Sequence, residues 1–221
     1  MDMVLLYAIS AVVAYLVGGV NPAIVLSKLV YHEDIRTLGS GNPGFTNFKR
    51  VYGGKVAWLV FLLDISKGVV LCSVFGPLFA RFGGSFAEFA FGASYVGFFA
   101  MLGHCYPVWY GFKGGKGFLV AAATIWFMDW HAGLVALCIM MLLLFTVKYM
   151  SLSVICAAVS CPITLAIVGV SYPVMVCCIL SVLLMIWRHK ENIVRLARGT
   201  ERKFSLFGHK KTAEAEQRSD S

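Results

Sequence analysis

LSVICAAVSCPITLAIVGVSYPVMVCCILSVLLMIW, residues Leu152 to Trp187, runs for 36 positions without a single Asp, Glu, Lys, Arg or His. As one helix it would extend about 54 Å at 1.5 Å per residue, far beyond the roughly 30 Å of bilayer hydrocarbon. The knot at 169–173, which carries Gly169 and Pro173, must therefore turn the chain and leave two spans, 152–170 and 172–187. The same reasoning divides the apolar stretch 118–147 at Asp129, Trp130 and His131 into spans 118–128 and 132–147. Working outward to the N-terminus adds spans 3–20, 56–75 and 86–102. The expected fold is all-α, a polytopic membrane protein of seven transmembrane helices. Composition agrees: 59% of the 221 residues are hydrophobic and 14% charged, with a mean hydropathy of +0.80. One water-soluble core could not enclose that much apolar surface.

Positive charge gives these spans a direction. Lys28, Arg36, Lys49, Arg50 and Lys55 follow the first span, Lys113 and Lys116 the third, and Lys148 the fifth; Arg188, Lys190 and the remaining basic residues follow the seventh. The opposite side holds only Arg81. An excess of Lys and Arg marks the cytoplasmic face, so the expected topology is N-out and C-in. Asp2 stands where a secretion signal would be basic, and no small-residue cleavage site ends the run 3–20, which is therefore expected to be retained. The seven cysteines (72, 105, 138, 156, 161, 177, 178) are odd in number and include no C-x-x-C pair, which fits buried free thiols. Residues 1–203 form the membrane domain, and the polar, mixed-charge stretch 204–221 is expected to be a disordered cytoplasmic tail.

Three cytoplasmic segments concentrate the polar chemistry. The first contains Ser40, Gly41, Asn42, Pro43, Gly44, Thr46, Asn47 and Arg50. Its glycines free the backbone to turn N–H groups toward one point, while the side chains add neutral and charged donors. That inventory suits a phosphate, and an ordinary Gly/Asn turn would look similar. The second runs from Gly103 and His104 through Pro107 to Phe112, Lys113, Gly114, Gly115, Lys116 and Gly117. It is not a nucleotide P-loop, because Tyr110 replaces the required glycine and Gly117 the Ser or Thr that would hold magnesium. What remains is a Gly-Gly-Lys-Gly turn opening onto a helix, an anion site by its dipole and orphan N–H groups. That helix, 118–128, spans only about 17 Å, so its N-terminus is expected to lie below the membrane surface in a polar pocket. A basic surface loop is the plainer alternative.

The third segment begins at Arg188, His189 and Lys190 and continues through Asn192, Arg195, Gly199 and Glu201. As a helix continuing from the last span it would stack His189, Asn192 and Arg195 on one face. Lipid headgroups would attract such a basic helix too, without accounting for the His and the Asn. Inside the second span, Asp64 and Lys67 share a face at i, i+3, either as a packing ion pair or as pocket support.

These segments together resemble the bacterial acyl-phosphate-dependent glycerol-3-phosphate acyltransferase family, known as PlsY. Ser40, Gly41, Asn42, Gly44, Thr46, Asn47 and Arg50 match its first motif; Gly103, His104, Pro107 and 112–117 its second; Arg188, His189, Glu191, Asn192, Ile193, Arg195, Leu196, Gly199 and Glu201 its third. The chain departs from the pattern at Pro43, Phe45, Phe118, Leu119 and Val120. The resemblance implies a fatty acyl transfer from acyl phosphate to glycerol 3-phosphate in phospholipid synthesis at the cytoplasmic face of the bacterial inner membrane. It implies no cofactor, no metal and no nucleic acid, with membrane lipids as surroundings and a transient contact with the soluble enzyme that makes the acyl phosphate as a compatible partner. By this reading Lys116, Gly114, Gly115 and Gly117 take the acyl phosphate, and Ser40, Arg50 and Lys113 hold the glycerol phosphate. His189 and Asn192 orient the attacking hydroxyl; Asn42, Thr46, Asn47, His104, Arg195 and Glu201 complete the binding set. A carrier for organic phosphates is the main rival, followed by a lipid-binding subunit. A metal-dependent phosphotransferase lacks its spaced aspartates.

Overall fold

A computed structural model describes residues 2–85 and 87–204, so most of the polar tail lies outside the described residues. All regular structure among them is helical. The chain opens with α1 (Met3–Gly19), whose first turn is capped by the Asp2 carboxylate accepting from the Val4 N–H at 3.2 Å. It breaks at Val20 and Asn21 and resumes as α2 (Pro22–Val30), where Asn21 caps the helix and Pro22 supplies a pre-set φ. A 3-10 turn at Ile35–Thr37 leads to α3 (Phe45–Tyr52). Thr46, Asn47 and Arg50, expected in a loop, therefore stand on a short helix. Next, α4 (Gly54–Gly83) is 30 residues long and passes through Pro77, well beyond the end expected at 75. A single proline removes one backbone bond, and packing around it carries the helix on.

The central helix α5 (Ala87–Cys105) packs against α1, α4, α6 (Phe118–Met128) and, later in the chain, α9. The approach of α1 to α5 is close enough that a Cβ on Gly18 would strike the Ala100 backbone and one on Gly103 the Tyr15 carbonyl. Small residues let helices in a membrane gain dispersion contacts where no hydrophobic force drives them together. Asp129 ends α6 and caps α7 (Trp130–Thr146), accepting from the His131 and Ala132 N–H groups at 2.8 and 3.1 Å. Gly169, at φ +80°, terminates α8 (Met150–Val168), and Pro173 sits in the first turn of α9 (Tyr172–Arg188). Both breaks deduced from sequence length are therefore present, each with its own capping chemistry.

A bend of 58° at His189 separates α9 from α10 (Lys190–Ala197), in place of the continuous helix expected there. By length and composition, three helical stretches can cross a membrane: Met3–Val30 taken as one run, Gly54–Gly83 and Met150–Val168; the bent pair makes a fourth. Both α6 and α7 are apolar but shorter. Large apolar side chains face outward along the bundle, Ile167 at 81% and Leu142 at 64% exposure, as lipid contact requires. All seven cysteines are free.

Candidate active site

The first segment is shaped from within. Asn47 is buried; its Oδ1 accepts from the Ser40 N–H at 2.8 Å, and its Nδ2 donates to the Leu38 and Ile35 carbonyls at 3.0 and 3.4 Å. Asn47 therefore holds the turn in shape. Asn21, unremarked in the sequence, donates from Nδ2 to the Pro43 carbonyl at 3.0 Å and hangs the same loop from the start of α2. Ser40 is exposed, Asn42 and Thr46 are half-buried. From the last turn of α3, Arg50 feels the charges of Arg202, Glu201 and Arg195 across the site.

The second segment is held in a conformation that requires its glycines. The Gly115 N–H donates to the His104 carbonyl at 3.0 Å, and a Cβ on Gly115 would collide with His104 Nε2. Gly117 caps α6 at φ +78° with Met101 beneath it. Arg188 clamps the loop from the far end of α9, donating from Nε to the Gly115 carbonyl at 3.0 Å and from Nη2 to the Gly114 carbonyl at 2.8 Å. Its guanidinium lies 5.0 Å from the centre of the Tyr106 ring. With the Gly115 N–H already given to His104, the N–H groups of Lys116 and Gly117 at the start of α6 are those the turn can offer an anion. Sequence reasoning placed Arg188 in the motif and not in the site; only the fold brings it back onto the 114–115 carbonyls.

The second and third segments meet at Lys116, whose Nζ donates to Asn192 Oδ1. Asn192 Nδ2 donates to Glu201 Oε1 at 2.6 Å, the same oxygen that accepts from Ser151 Oγ at 2.8 Å. The other oxygen, Glu201 Oε2, accepts from Arg195 Nε at 2.8 Å. Glu201 thus ties α8 and α10 together and fixes Asn192 and Arg195. Burial opposes its charge, and the hydrogen bonds from Asn192, Arg195 and Ser151 outweigh burial to hold its carboxyl below the ordinary range. His189 is buried, and its Nδ1 lies 2.8 Å from the Met185 carbonyl. A carbonyl only accepts, so Nδ1 carries the hydrogen and Nε2 keeps a lone pair. Burial, followed by the charge of Lys116, lowers the His189 pKa to about 4; burial, followed by Arg195, lowers that of Lys116 to about 8.

Two spaces adjoin this network. A polar cleft of about 790 Å³ lies between the first and second segments, lined by Asp34, Arg36, Pro43, Lys113, Gly114 and Arg188. Arg36 pairs with Asp34 at 2.7 Å and donates from Nη1 to the Tyr110 carbonyl at 3.0 Å, joining the two loops. The Arg36 side chain, followed in effect by burial that acts the other way, leaves the Asp34 carboxyl at about 2. An apolar cavity of about 100 Å³ lies along α6, lined by Phe118, one residue past Gly117, with Ala121, Ala122 and Trp126, and by Met140 and Val182 from neighbouring helices. Asp64 and Lys67 lie outside both, in a buried cluster with His104.

Outward-facing apolar helices, and a glycine-rich turn tied to the Lys116–Asn192–Glu201 network, are shared with an integral membrane class of acyltransferases. The family model described as glycerol-3-phosphate acyltransferase matches residues 8–199, and the chain belongs to that family. A glycerol-3-phosphate acyltransferase of Staphylococcus carnosus (strain TM300) is 38% identical over 192 residues, 86% of this chain and 94% of its own. One from Coxiella burnetii (strain Dugway 5J108-111) is 36% identical over 207 residues, covering 90% and 99%. The fold matches the crystal structure of PlsY (YgiH), an integral membrane glycerol 3-phosphate acyltransferase, in its glycerol 3-phosphate form, with a TM-score of 0.81 at 32% identity over 91% of this chain and 99% of that one. The lysophosphatidic acid form of that protein matches with a TM-score of 0.76, also at 32% identity, over 90% and 95%.

Proposed function

We propose that this chain moves a fatty acyl group from an acyl phosphate to the sn-1 hydroxyl of glycerol 3-phosphate, giving 1-acylglycerol 3-phosphate and inorganic phosphate. The observation that carries this reading is the contact of Lys116 with Asn192, which joins the glycine-rich turn to the third segment. Two phosphorylated substrates need two cationic surfaces, here Lys116 with the 114–117 turn on one side and Lys113 with Arg36 and Arg188 on the other. The apolar cavity lined by Phe118 gives the acyl tail a dry path away from the turn. The known forms of PlsY, with glycerol 3-phosphate and with lysophosphatidic acid, support the acceptor and the product.

In this mechanism the glycerol hydroxyl attacks the acyl carbonyl carbon, the carbon–oxygen bond to phosphate breaks, and the phosphate leaves with both bonding electrons. Lys116 and the turn N–H groups stabilise the charge that develops on it. An acyl phosphate is an activated anhydride, so positioning and electrostatics suffice without a metal. The hydroxyl proton passes to a substrate phosphate oxygen. His189, neutral with a lone pair on Nε2, accepts a hydrogen bond from the hydroxyl and aims it, while its pKa of about 4 makes it a poor resting place for the proton at pH 7.

The lysine and arginine pattern supports seven crossings, N-out and C-in, in the bacterial inner membrane, with the site facing the cytoplasm and open to the soluble enzyme that supplies acyl phosphate. The decisive assay uses purified protein in detergent: phosphate release must require both acyl phosphate and glycerol 3-phosphate. Release with either alone, or uptake of labelled glycerol phosphate into liposomes without acyl phosphate, would overturn the reading. Siding is checked with Lys113→Cys and Lys190→Cys, which should react with an impermeant maleimide in inside-out vesicles only.

A further inference from the structure

Beneath the glycine-rich turn lies a buried cluster that the mechanism above does not use. Lys67 Nζ donates to the Gly18 carbonyl at 2.9 Å and the Val20 carbonyl at 3.1 Å, lies 2.9 Å from His104 Nδ1, and pairs by charge at 2.9 Å with Asp64 Oδ1, a buried oxygen with no hydrogen-bond partner among the described residues. Asp64 and His104 are buried to within 4% of complete, and Lys67 to within 8%. An ammonium has hydrogens and no lone pair, so at 2.9 Å the His104 Nδ1 has to be the acceptor. The alternative, Nδ1–H donating to Asp64, spans 3.4 Å and would point a hydrogen at the closer ammonium. The hydrogen of the neutral ring therefore sits on Nε2. That atom makes no hydrogen bond among the described residues and abuts Gly115, where an added Cβ would collide with it.

We propose that Asp64 and Lys67 lock His104 in its neutral Nε2–H tautomer, which makes His104 a further donor to a phosphate held at the 114–117 turn. The order of the cluster explains why a carboxylate and an ammonium are kept in a helix where each alone is costly. Asp64 pairs with Lys67 at 2.9 Å, Lys67 dictates the tautomer, and the His104 carbonyl simultaneously holds the Gly115 N–H at 3.0 Å. Asp64 and Lys67 are positioning residues that act through His104. The identity of the phosphate as that of the acyl donor rests on the acyltransferase reading; the tautomer does not.

The test is a nitrogen spectrum of protein labelled with ¹⁵N-histidine in detergent, with His104 assigned by its loss in His104→Gln. The expected result is a bare Nδ1 and a protonated Nε2, whose proton signal moves when inorganic phosphate is added. In Asp64→Asn/Lys67→Met, which removes both charges together and strands neither, the single tautomer gives way to a mixture. KM for acyl phosphate then rises roughly tenfold or more while the melting transition persists, as expected for losing a donor to a charged group. His104→Gln, whose amide nitrogen reaches the Nε2 position, retains more turnover than His104→Leu. A protonated Nδ1 in the wild-type protein, or an Nε2 signal indifferent to phosphate, overturns the proposal, and both are read on the wild-type protein once His104→Gln has assigned the signal. Failure of the turnover assay with an intact phosphate response would instead remove the acyltransferase reading and leave the lock standing.

Discussion

On the proposed reading, the charge of Lys116 should act on stability and activity with opposite signs. Its pKa of about 8 lies below the ordinary 10.5, so between those values the unfolded chain binds more protons than the folded one, and stability rises with pH across that window. Activity should do the reverse, because only the ammonium can offset charge on the departing phosphate. The expected kcat/KM falls about tenfold per unit above pH 8, and Lys116→Arg, always charged, removes that limb while lowering the plateau by misfitting the contact with Asn192. A wild-type profile flat to pH 10 would dissociate Lys116 from the chemistry. His189 supplies the complementary test on the acid side. With a pKa of about 4 it stays neutral through pH 5, so an acid limb near pH 6 belongs to the phosphate of the acceptor, whose second pKa is about 6. His189→Gln should keep that limb and lose no more than about a hundredfold in kcat; complete loss of turnover with unchanged acceptor binding would make His189 the base. The residue types at these positions were legible from their chemistry alone. Their contacts were not, since nothing in the sequence shows that Asn47 shapes its own loop or that Glu201 braces Asn192 and Arg195.

At the scale of elements, the breaks in the chain were readable and the short helices were not. Asp129 and Gly169 announce themselves because a 30 Å slab limits how far an apolar run can go, and a cap residue stands where the limit falls. The helices α2, α3 and α10 have eight or nine residues each, too short for periodicity to separate from a polar loop. The bend at His189 was hidden for a further reason. Nothing in the local sequence breaks a helix there, and the geometry is set by contacts from outside it, with Lys116 on Asn192 and Arg188 on the glycine carbonyls. The turn at 114–117 is where an element and a function coincide. Its Gly115 has no room for a methyl group between His104 and the Pro43 carbonyl. Gly115→Ala should therefore fold with a near-normal melting transition and lose roughly a hundredfold or more in turnover, the usual cost of moving a reacting group by about an ångström. Turnover within threefold of wild type would show that the turn does not carry the donor phosphate.

For the whole molecule, the arrangement of the bundle sets which substrates can be joined. The anion turn opens the short helix α6, and the apolar cavity follows one face of that helix through Phe118, Ala122 and Trp126, spaced four residues apart, between α5, α7, α8 and α9. On the proposed reading, a phosphate at the helix start and a tail along its flank are two ends of one ligand. Phe118, a departure from the family pattern, and Ala122, one helical turn on, both line the cavity. Ala122→Phe should plug the slot partway along while leaving the turn, Lys116 and Asn192 untouched. Each methylene refused burial forfeits about 0.8 kcal/mol, so excluding two or more lowers kcat/KM roughly tenfold for a long acyl phosphate. A chain too short to reach Ala122 should lose less than twofold, and a series of acyl phosphates of increasing length should show the loss setting in at one length. A uniform loss across the series would place the tail outside this cavity, on the lipid-facing surface of the bundle.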